Sequence, residues 1–153
     1  ELASGDLDFR FLAGYMDENS ITNSFGNKIE RAGQGVLAKW TGTAAFNYRR
    51  GPFNIGLSSR YIGKSKLNLL WVEGVDVDDN DIDSRTYFNL QAGYEFDDVY
   101  GGVLNVFGNV QNLMDRDPPL AASALSTWAG AKFTNTNFDM LGRRFTIGVR
   151  YQF

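Results

Sequence analysis

Six stretches of this chain alternate apolar and other residues with period two, each for about ten residues. In DLDFRFLAGYMD, Leu7, Phe9, Phe11, Ala13 and Tyr15 share one face, and Asp8, Arg10, Leu12 and Gly14 share the other. In WTGTAAFNYR, Trp40, Gly42, Ala44, Phe46 and Tyr48 oppose Thr41, Thr43, Ala45, Asn47 and Arg49. FNIGLSSRYIGK, RTYFNLQAGYEF, VLNVFGNVQN and RRFTIGVRYQF repeat the pattern. A globular strand usually has about five to six residues, whereas about ten is what a tilted strand needs to cross a bilayer. The expected fold is all-β: an antiparallel up-and-down meander of about six long strands, a segment of a transmembrane β-barrel.

The connections are sorted by length. RRGP (Arg49–Pro52) joins the second and third stretches, and DDVYGG (Asp97–Gly102) the fourth and fifth; both are tight and contain Gly. The other three are long, spanning roughly Glu18–Lys39, Ser65–Ser84 and Leu113–Asp139. Short alternating with long is the pattern of periplasmic turns and extracellular loops. Aromatic residues gather at the ends of the apolar faces. Phe9, Tyr48, Phe53, Tyr94, Phe96, Tyr151 and Phe153 lie toward the short turns, and Tyr15, Trp40, Tyr61 and Phe145 toward the long loops. Ala, Ile, Leu, Val and Gly are expected between them. Trp40 to Tyr48 corresponds to about 20 Å of membrane height, close to the spacing of two aromatic girdles. The opposite faces hold Asn47, Asn54, Asn89, Gln91, Asn105 and Asn109, with Asp8, Arg10, Arg49, Arg60, Glu95, Arg144 and Arg150. A face this polar fits a water-filled or plugged lumen. Two other readings share the alternation: a soluble β-sandwich binding module, with its largest aromatics mid-strand, and a small structural or adhesive outer-membrane barrel.

Composition removes several classes of function. There is no Cys and no His, so disulfides, Cys nucleophiles, His-based triads and Cys/His zinc sites are excluded. Net charge is −3, which leaves no electrostatic footprint for nucleic acid. No run approaches 18 apolar residues, so no membrane-spanning helix is expected. The chain begins at Glu1 rather than Met and without a visible signal peptide, which reads as a cut inside a longer protein.

Two motifs match by letters alone. GQGVLA (Gly33–Ala38) has the glycines of a dinucleotide fingerprint, but that motif works only between a buried strand and a helix. VDVDDNDIDS (Val75–Ser84) carries Asp76, Asp78, Asp79, Asp81 and Asp83, yet Asp81 and Tyr87 stand where a calcium-binding loop needs Gly and Glu. It is read as a solvated loop tip, with a weak cation site as the sharper alternative. Carboxylates are plentiful but nothing positions a hydrolytic pair. No enzyme activity, metal or cofactor is expected.

The last strand, TIGVRYQF, ends on an aromatic. Thr146, Gly148, Tyr151 and Phe153 are similar to the β-signal that outer-membrane barrels present to their assembly machinery. An unpaired strand edge suits recognition by β-augmentation. Phe153 also completes the short-turn girdle.

VFGNVQNLMDRDPP (Val106–Pro119) and FDMLGRRFTIGVRYQF (Phe138–Phe153) resemble the C-terminal end of TonB-dependent outer-membrane receptors. The family's penultimate strand runs into an Asn-Leu-x-Asp turn, matched by Asn112, Leu113 and Asp115. Its last strand opens with aromatic-Asp-x-x-Gly-Arg, matched by Phe138, Asp139, Gly142 and Arg143, although Tyr is commoner than Phe at the first place. Residues before Val106 agree only through strand and loop pattern.

The resemblance implies a barrel of about 22 strands with an N-terminal plug. Residues 1–153 would be its C-terminal segment, without the plug and the earlier strands. The whole protein would bind and import a scarce nutrient (siderophore-bound iron, cobalamin or an oligosaccharide) with TonB-derived energy, in the outer membrane of a Gram-negative bacterium. Its partners would be the TonB complex, the barrel assembly machinery, lipopolysaccharide and the nutrient. Arg60, Arg144 and Arg150 are expected to face the lumen, to meet an anionic ligand or plug carboxylate, or else to pair with Asp8 or Glu95. Arg143, on the outward face, is expected to contact lipopolysaccharide phosphates. Trp71 and Trp128 in the loops point to no particular substrate.

Overall fold

The computed structural model describes residues 5–119, 121–122, 132–133 and 137–153; Trp128 lies outside them. In chain order the strands are β1 (Asp6–Tyr15), β2 (Ser20–Thr22), β3 (Lys28–Glu30), β4 (Trp40–Arg50), β5 (Phe53–Ile62), β6 (Ser65–Lys66), β7 (Asp81–Ile82), β8 (Arg85–Val99), β9 (Gly102–Gln111), β10 (Ala121–Ala122), β11 (Lys132–Phe133) and β12 (Arg144–Gln152). Among the described residues there is no helix. The six long strands form one antiparallel sheet in the order β1-β4-β5-β8-β9-β12, each beside its predecessor. The three short pairs, β2 with β3, β6 with β7 and β10 with β11, fold the long connections back on themselves. Period-two patterning over two or three residues is too short to distinguish from loop, so the sequence does not announce these pairs.

The register brings every apolar face to the same side. Opposed residues on neighbouring strands share a face. One row runs Phe9–Phe46–Leu57–Leu90–Val110–Phe145 across all six long strands. The next row on the other side runs Asp8–Asn47–Gly56–Gln91–Asn109–Thr146. A slip of one residue at any ladder would turn one strand's apolar set to the polar side.

The strands are also staggered. Leu90 pairs with Val110, so Arg85–Phe88 extends past the loop end of β9. At the other end β8 continues beyond Tyr94, the partner of Phe53, to reach Gly102 through an irregular step between Phe96 and Val99. Staggered, tilted strands are what a curved barrel wall requires. The Tyr151 hydroxyl donates to the Val99 carbonyl at 2.8 Å and so pins this turn to β12.

Among the described residues nothing covers the apolar face. Phe11 is 66% exposed and Ile147 83%. The buried core is small and sits elsewhere, at the loop end, where Ala38, Ile62, Ile82, Tyr87 and Phe138 pack with Leu67. A sandwich would lay a second sheet over the apolar face. The sheet is open, with a single neighbour each for β1 and β12.

The aromatic pattern needs one correction. Tyr15 and Trp40 stack at 4.6 Å and Tyr94 and Phe96 at 4.6 Å near the strand ends. Phe11, Phe46 and Phe88, however, occupy mid-strand positions expected to hold Ala, Ile, Leu, Val or Gly. Phe11 lies opposite Ala44 and Phe88 opposite Ser59, so two of these rings sit beside small partners, which leaves them room on the pleated surface.

Gly148 tests the packing. It lies opposite Phe107, and a Cβ there would overlap that ring. Gly108 has room, its nearest neighbour being the Thr146 carbonyl at 3.6 Å. Gly148→Leu is expected to destabilise the protein by about 1–3 kcal/mol through overpacking. Gly108→Ala should change the urea midpoint in detergent little.

Candidate functional site at the loop end of the sheet

The residues of the two C-terminal motifs are far apart in sequence and meet in space. β9 leaves the sheet at Asn112, whose φ is 51° and whose side chain is buried. Its amide nitrogen donates to the Arg116 carbonyl at 3.0 Å, and its amide oxygen accepts the Arg116 N–H at 2.9 Å. Asn tolerates the left-handed region because its short amide bonds locally to the backbone. The Leu113 N–H donates to the Phe88 carbonyl at 2.7 Å, tying the turn to β8. Asp115 then reaches across to the entry of β12. Its carboxylate accepts the Arg143 N–H at 2.8 Å and lies 3.7 Å from the guanidinium. Gly142, at φ 70°, leaves space beside it: a Cβ there would stand 3.3 Å from the carboxylate. Asp139 accepts the Leu141 N–H at 3.0 Å and the Arg144 guanidinium at 3.1 Å, while Arg144 also holds Gln111 at 2.7 Å. The product is a clasp that joins the end of β9 to the start of β12.

The three arginines of the polar face are not paired as expected. Arg144 binds Asp139 rather than Asp8 or Glu95. Arg60 donates to the Asn137 carbonyl at 2.8 Å and lies 5.6 Å over the Tyr87 ring. Among the described residues Arg60 and Arg150 form no ion pair with a carboxylate. The register explains this. Arg150 shares a row with Glu95, but Asn105 stands between them, which places the two about 10 Å apart. Asp8 belongs to a different row from Arg60 and two strands away. Arg143 lies toward the apolar side, 5.8 Å over Phe145, with its charge already facing Asp115.

The loops dock on one another. Gly33 and Gly35 adopt φ 84° and 57°. Gly35 donates its N–H to the Lys66 carbonyl at 2.8 Å, and Lys66 returns one to Gly33 at 2.7 Å. The GQGVLA glycines thus shape a turn that docks on β6; no helix follows and no N–H array opens toward a phosphate. In the acidic loop the organising residue is Asn80, 1% exposed, a role sequence reasoning missed. It donates to the Asn68 carbonyl at 2.9 Å and the Trp71 carbonyl at 3.2 Å, and accepts the Asn68 N–H at 3.1 Å. The only signal was an amide within a run of carboxylates. Those carboxylates are dispersed: Asp76 accepts the Val72 N–H at 2.7 Å, Asp79 the Asp81 N–H at 2.9 Å, and Asp81 lies 3.4 Å from Lys66. Among the described residues no three metal-ligating side chains converge.

Between the loops and the upper ends of β1, β4 and β5 lies a cleft of about 450 Å³, lined by Leu12, Thr43, Arg60, Leu37 and Asn137. Asn137 spans it, its amide donating to the Val36 carbonyl at 2.6 Å. Comparison with protein-family models, curated proteins and solved structures found no match.

Two predictions follow from these contacts. Asn112→Ala should cost about 2–3 kcal/mol, from two lost hydrogen bonds and a side chain that resists positive φ. Asn112→Gly should recover the backbone part, and urea midpoints would separate the two. The second concerns Glu30, whose carboxylate accepts the N–H groups of Asn19, Arg31 and Ala32 at 2.9, 2.9 and 2.6 Å. The Asn19 and Ala32 bonds hold its pKa below the usual 4.5. Its contribution to the loop is present above the unfolded value and is lost as pH falls through the lower folded one. NMR titration of those three amides should give a common midpoint below 4.5; a midpoint at or above it would contradict the assignment.

Proposed function

We propose that this chain forms the last six strands and three extracellular loops of a TonB-dependent outer-membrane receptor. The whole protein would capture a scarce nutrient at the surface of a Gram-negative bacterium and import it with TonB-derived energy. The observation that carries this reading is a six-stranded sheet with one continuous, uncovered apolar face and one polar face. Lipid is the solvent in which such a face needs no second layer. The long connections leave one end of the sheet and the short turns the other, as in outer-membrane barrels. The open edges at β1 and β12 support a wall completed by further strands, because unpaired backbone groups in lipid cost several kcal/mol each.

The clasp supports the family reading in particular. Asn112, Leu113, Asp115, Asp139, Gly142 and Arg143 were selected by resemblance alone, and they take part in one local arrangement. Within the signal-like strand, Gly148 makes room for Phe107 and Tyr151 pins the turn after β8. We infer that Thr146, Gly148, Tyr151 and Phe153 also serve recognition by the assembly machinery. Contact of Arg143 with lipopolysaccharide phosphate would require it to exchange or share its Asp115 partner. Arg60, Arg144 and Arg150 remain candidates for the lumen side, Arg150 being the least engaged of the three.

The test uses paired substitutions on β5 in the full-length protein, away from the assembly signal. Leu57→Arg puts a charge on the apolar face and should destabilise the inserted barrel by about 2–4 kcal/mol. Ser58→Arg puts the same charge on the polar face and should leave assembly intact. Heat-modifiable migration of membrane fractions reads both. Equal behaviour of the two variants, or partition of the unmodified protein into detergent-free buffer, would sink the membrane reading.

A further inference from the structure

We propose that the polar face of the sheet carries a binding track for a neutral carbohydrate, centred on Phe107. This rests on the barrel reading, in which that face lines the lumen.

Two strand aromatics lie on the polar face. Tyr87 is buried, whereas Phe107 is 39% exposed. Phe107 stands opposite Gly93 on β8 and Gly148 on β12. Its ring tip leans onto Gly148, where a Cβ would overlap it, so the ring lies down along the wall rather than projecting from it. With glycine on both neighbouring strands, no opposed side chain covers it. Along β9 it is flanked on the same face by Asn105 and Asn109.

The surrounding side chains are uncharged, and apart from Asn89, whose amide oxygen accepts the Asn112 N–H at 3.0 Å, they are only loosely bonded. Gln91 reaches Asn47 at 3.5 Å across Gly56, and Asn89 reaches Ser58 at 3.4 Å, both long for a hydrogen bond. The buried Asn109 amide oxygen accepts no hydrogen bond among the described residues. Each amide has two donor hydrogens and two acceptor lone pairs, so capacity is left at Gln91, Asn47 and the Asn109 amide nitrogen, while the Asn109 oxygen itself is enclosed.

This is the chemistry that a pyranose needs. Its hydroxyls donate and accept together, as amides do. Its C–H face is weakly positive and stacks on the negative face of an aromatic ring. Charge points the same way. The row segments Asn54–Gly93–Phe107–Gly148 and Gly56–Gln91–Asn109–Thr146 hold no ionisable side chain. An anionic iron chelate would find no cation in them. Charged residues of this face border the track, with Arg49 and Asp8 to one side, Glu95 and Arg150 below, and Arg144 above, the last already paired with Asp139.

The experiment is calorimetric titration of the full-length protein in detergent with maltohexaose, cellohexaose and xylohexaose, and with ferric citrate as the anionic comparison. At least one neutral hexasaccharide is expected to bind. Phe107→Ala should weaken it by roughly tenfold, and Phe107→Trp should retain it. Asn109→Leu, which leaves the ring in place, should weaken it as well. Binding of ferric citrate alone, no binding of any hexasaccharide, or sugar binding indifferent to Phe107→Ala and Asn109→Leu would each overturn the proposal. Heat-modifiable migration of every variant reports the barrel independently. A folded barrel without sugar binding therefore sinks this inference alone, whereas loss of the barrel in the unmodified protein sinks the membrane reading with it.

Discussion

The backbone ladder linking the six long strands is what everything else in this molecule depends on. Side chains on a strand alternate sides without exception, so one register, kept across five ladders, decides what each face is made of. Here it sorts most of the large apolar residues to one side, Leu12, Tyr87 and Phe107 excepted, and nearly all the amides to the other. Little else holds the sheet together. Among the described residues the buried core is a handful at the loop end, and neither face of the strands is covered by a second layer. A sheet of this kind in water would have its apolar face as a liability. In lipid the same face is solvated, and the hydrogen-bonded ladder supplies the cohesion.

Glycine shapes the polar face by subtraction. Gly56 lies beneath the Gln91 and Asn47 amides, Gly93 beneath Asn54, and Gly148 beneath Phe107. In each case a Cβ would meet a neighbour's side chain at less than ordinary contact distance. The neighbours can therefore recline across the strand. A wall built this way is flat and presents amide and aromatic surfaces broadside rather than end-on.

The loop end is organised differently, by polar side chains bonded to backbone. Asn112, Asp115 and Asp139 hold the β9–β12 junction, Asn80 holds the acidic loop, and Glu30 gathers three N–H groups at the first hairpin. Short side chains of this type substitute for ladder partners where the chain leaves the sheet. Arg60 and Asn137 then tie the upper sheet to the first loop across the cleft. Ligand capture at this end would act on a surface whose parts are already connected.

The six long strands were legible from residues alone because period two over about ten residues is a strong signal and each tight turn carries glycine. Every observed boundary lies within three residues of its expected place. The two C-terminal motifs were legible as letters, but their meeting was not: Asp115 bonds to Arg143 only because β9 and β12 are neighbours. The partners of Arg60 and Arg144 were misread for the same reason, since a list of charges on one face carries no register. Phe11 and Phe88 were placed on the apolar face, but that mid-strand positions accommodate such rings was not legible, because their small cross-strand partners, Ala44 and Ser59, belong to other segments. The sequence by itself determined the strands, their two-sidedness and which connections are long, all of which are local consequences of side-chain alternation and turn chemistry. Only the tertiary structure decided which residues stand opposite one another, and with them the clasp, the glycine-backed aromatic and the open amides around it. Those depend on pairing between segments distant in the chain, which no local pattern encodes.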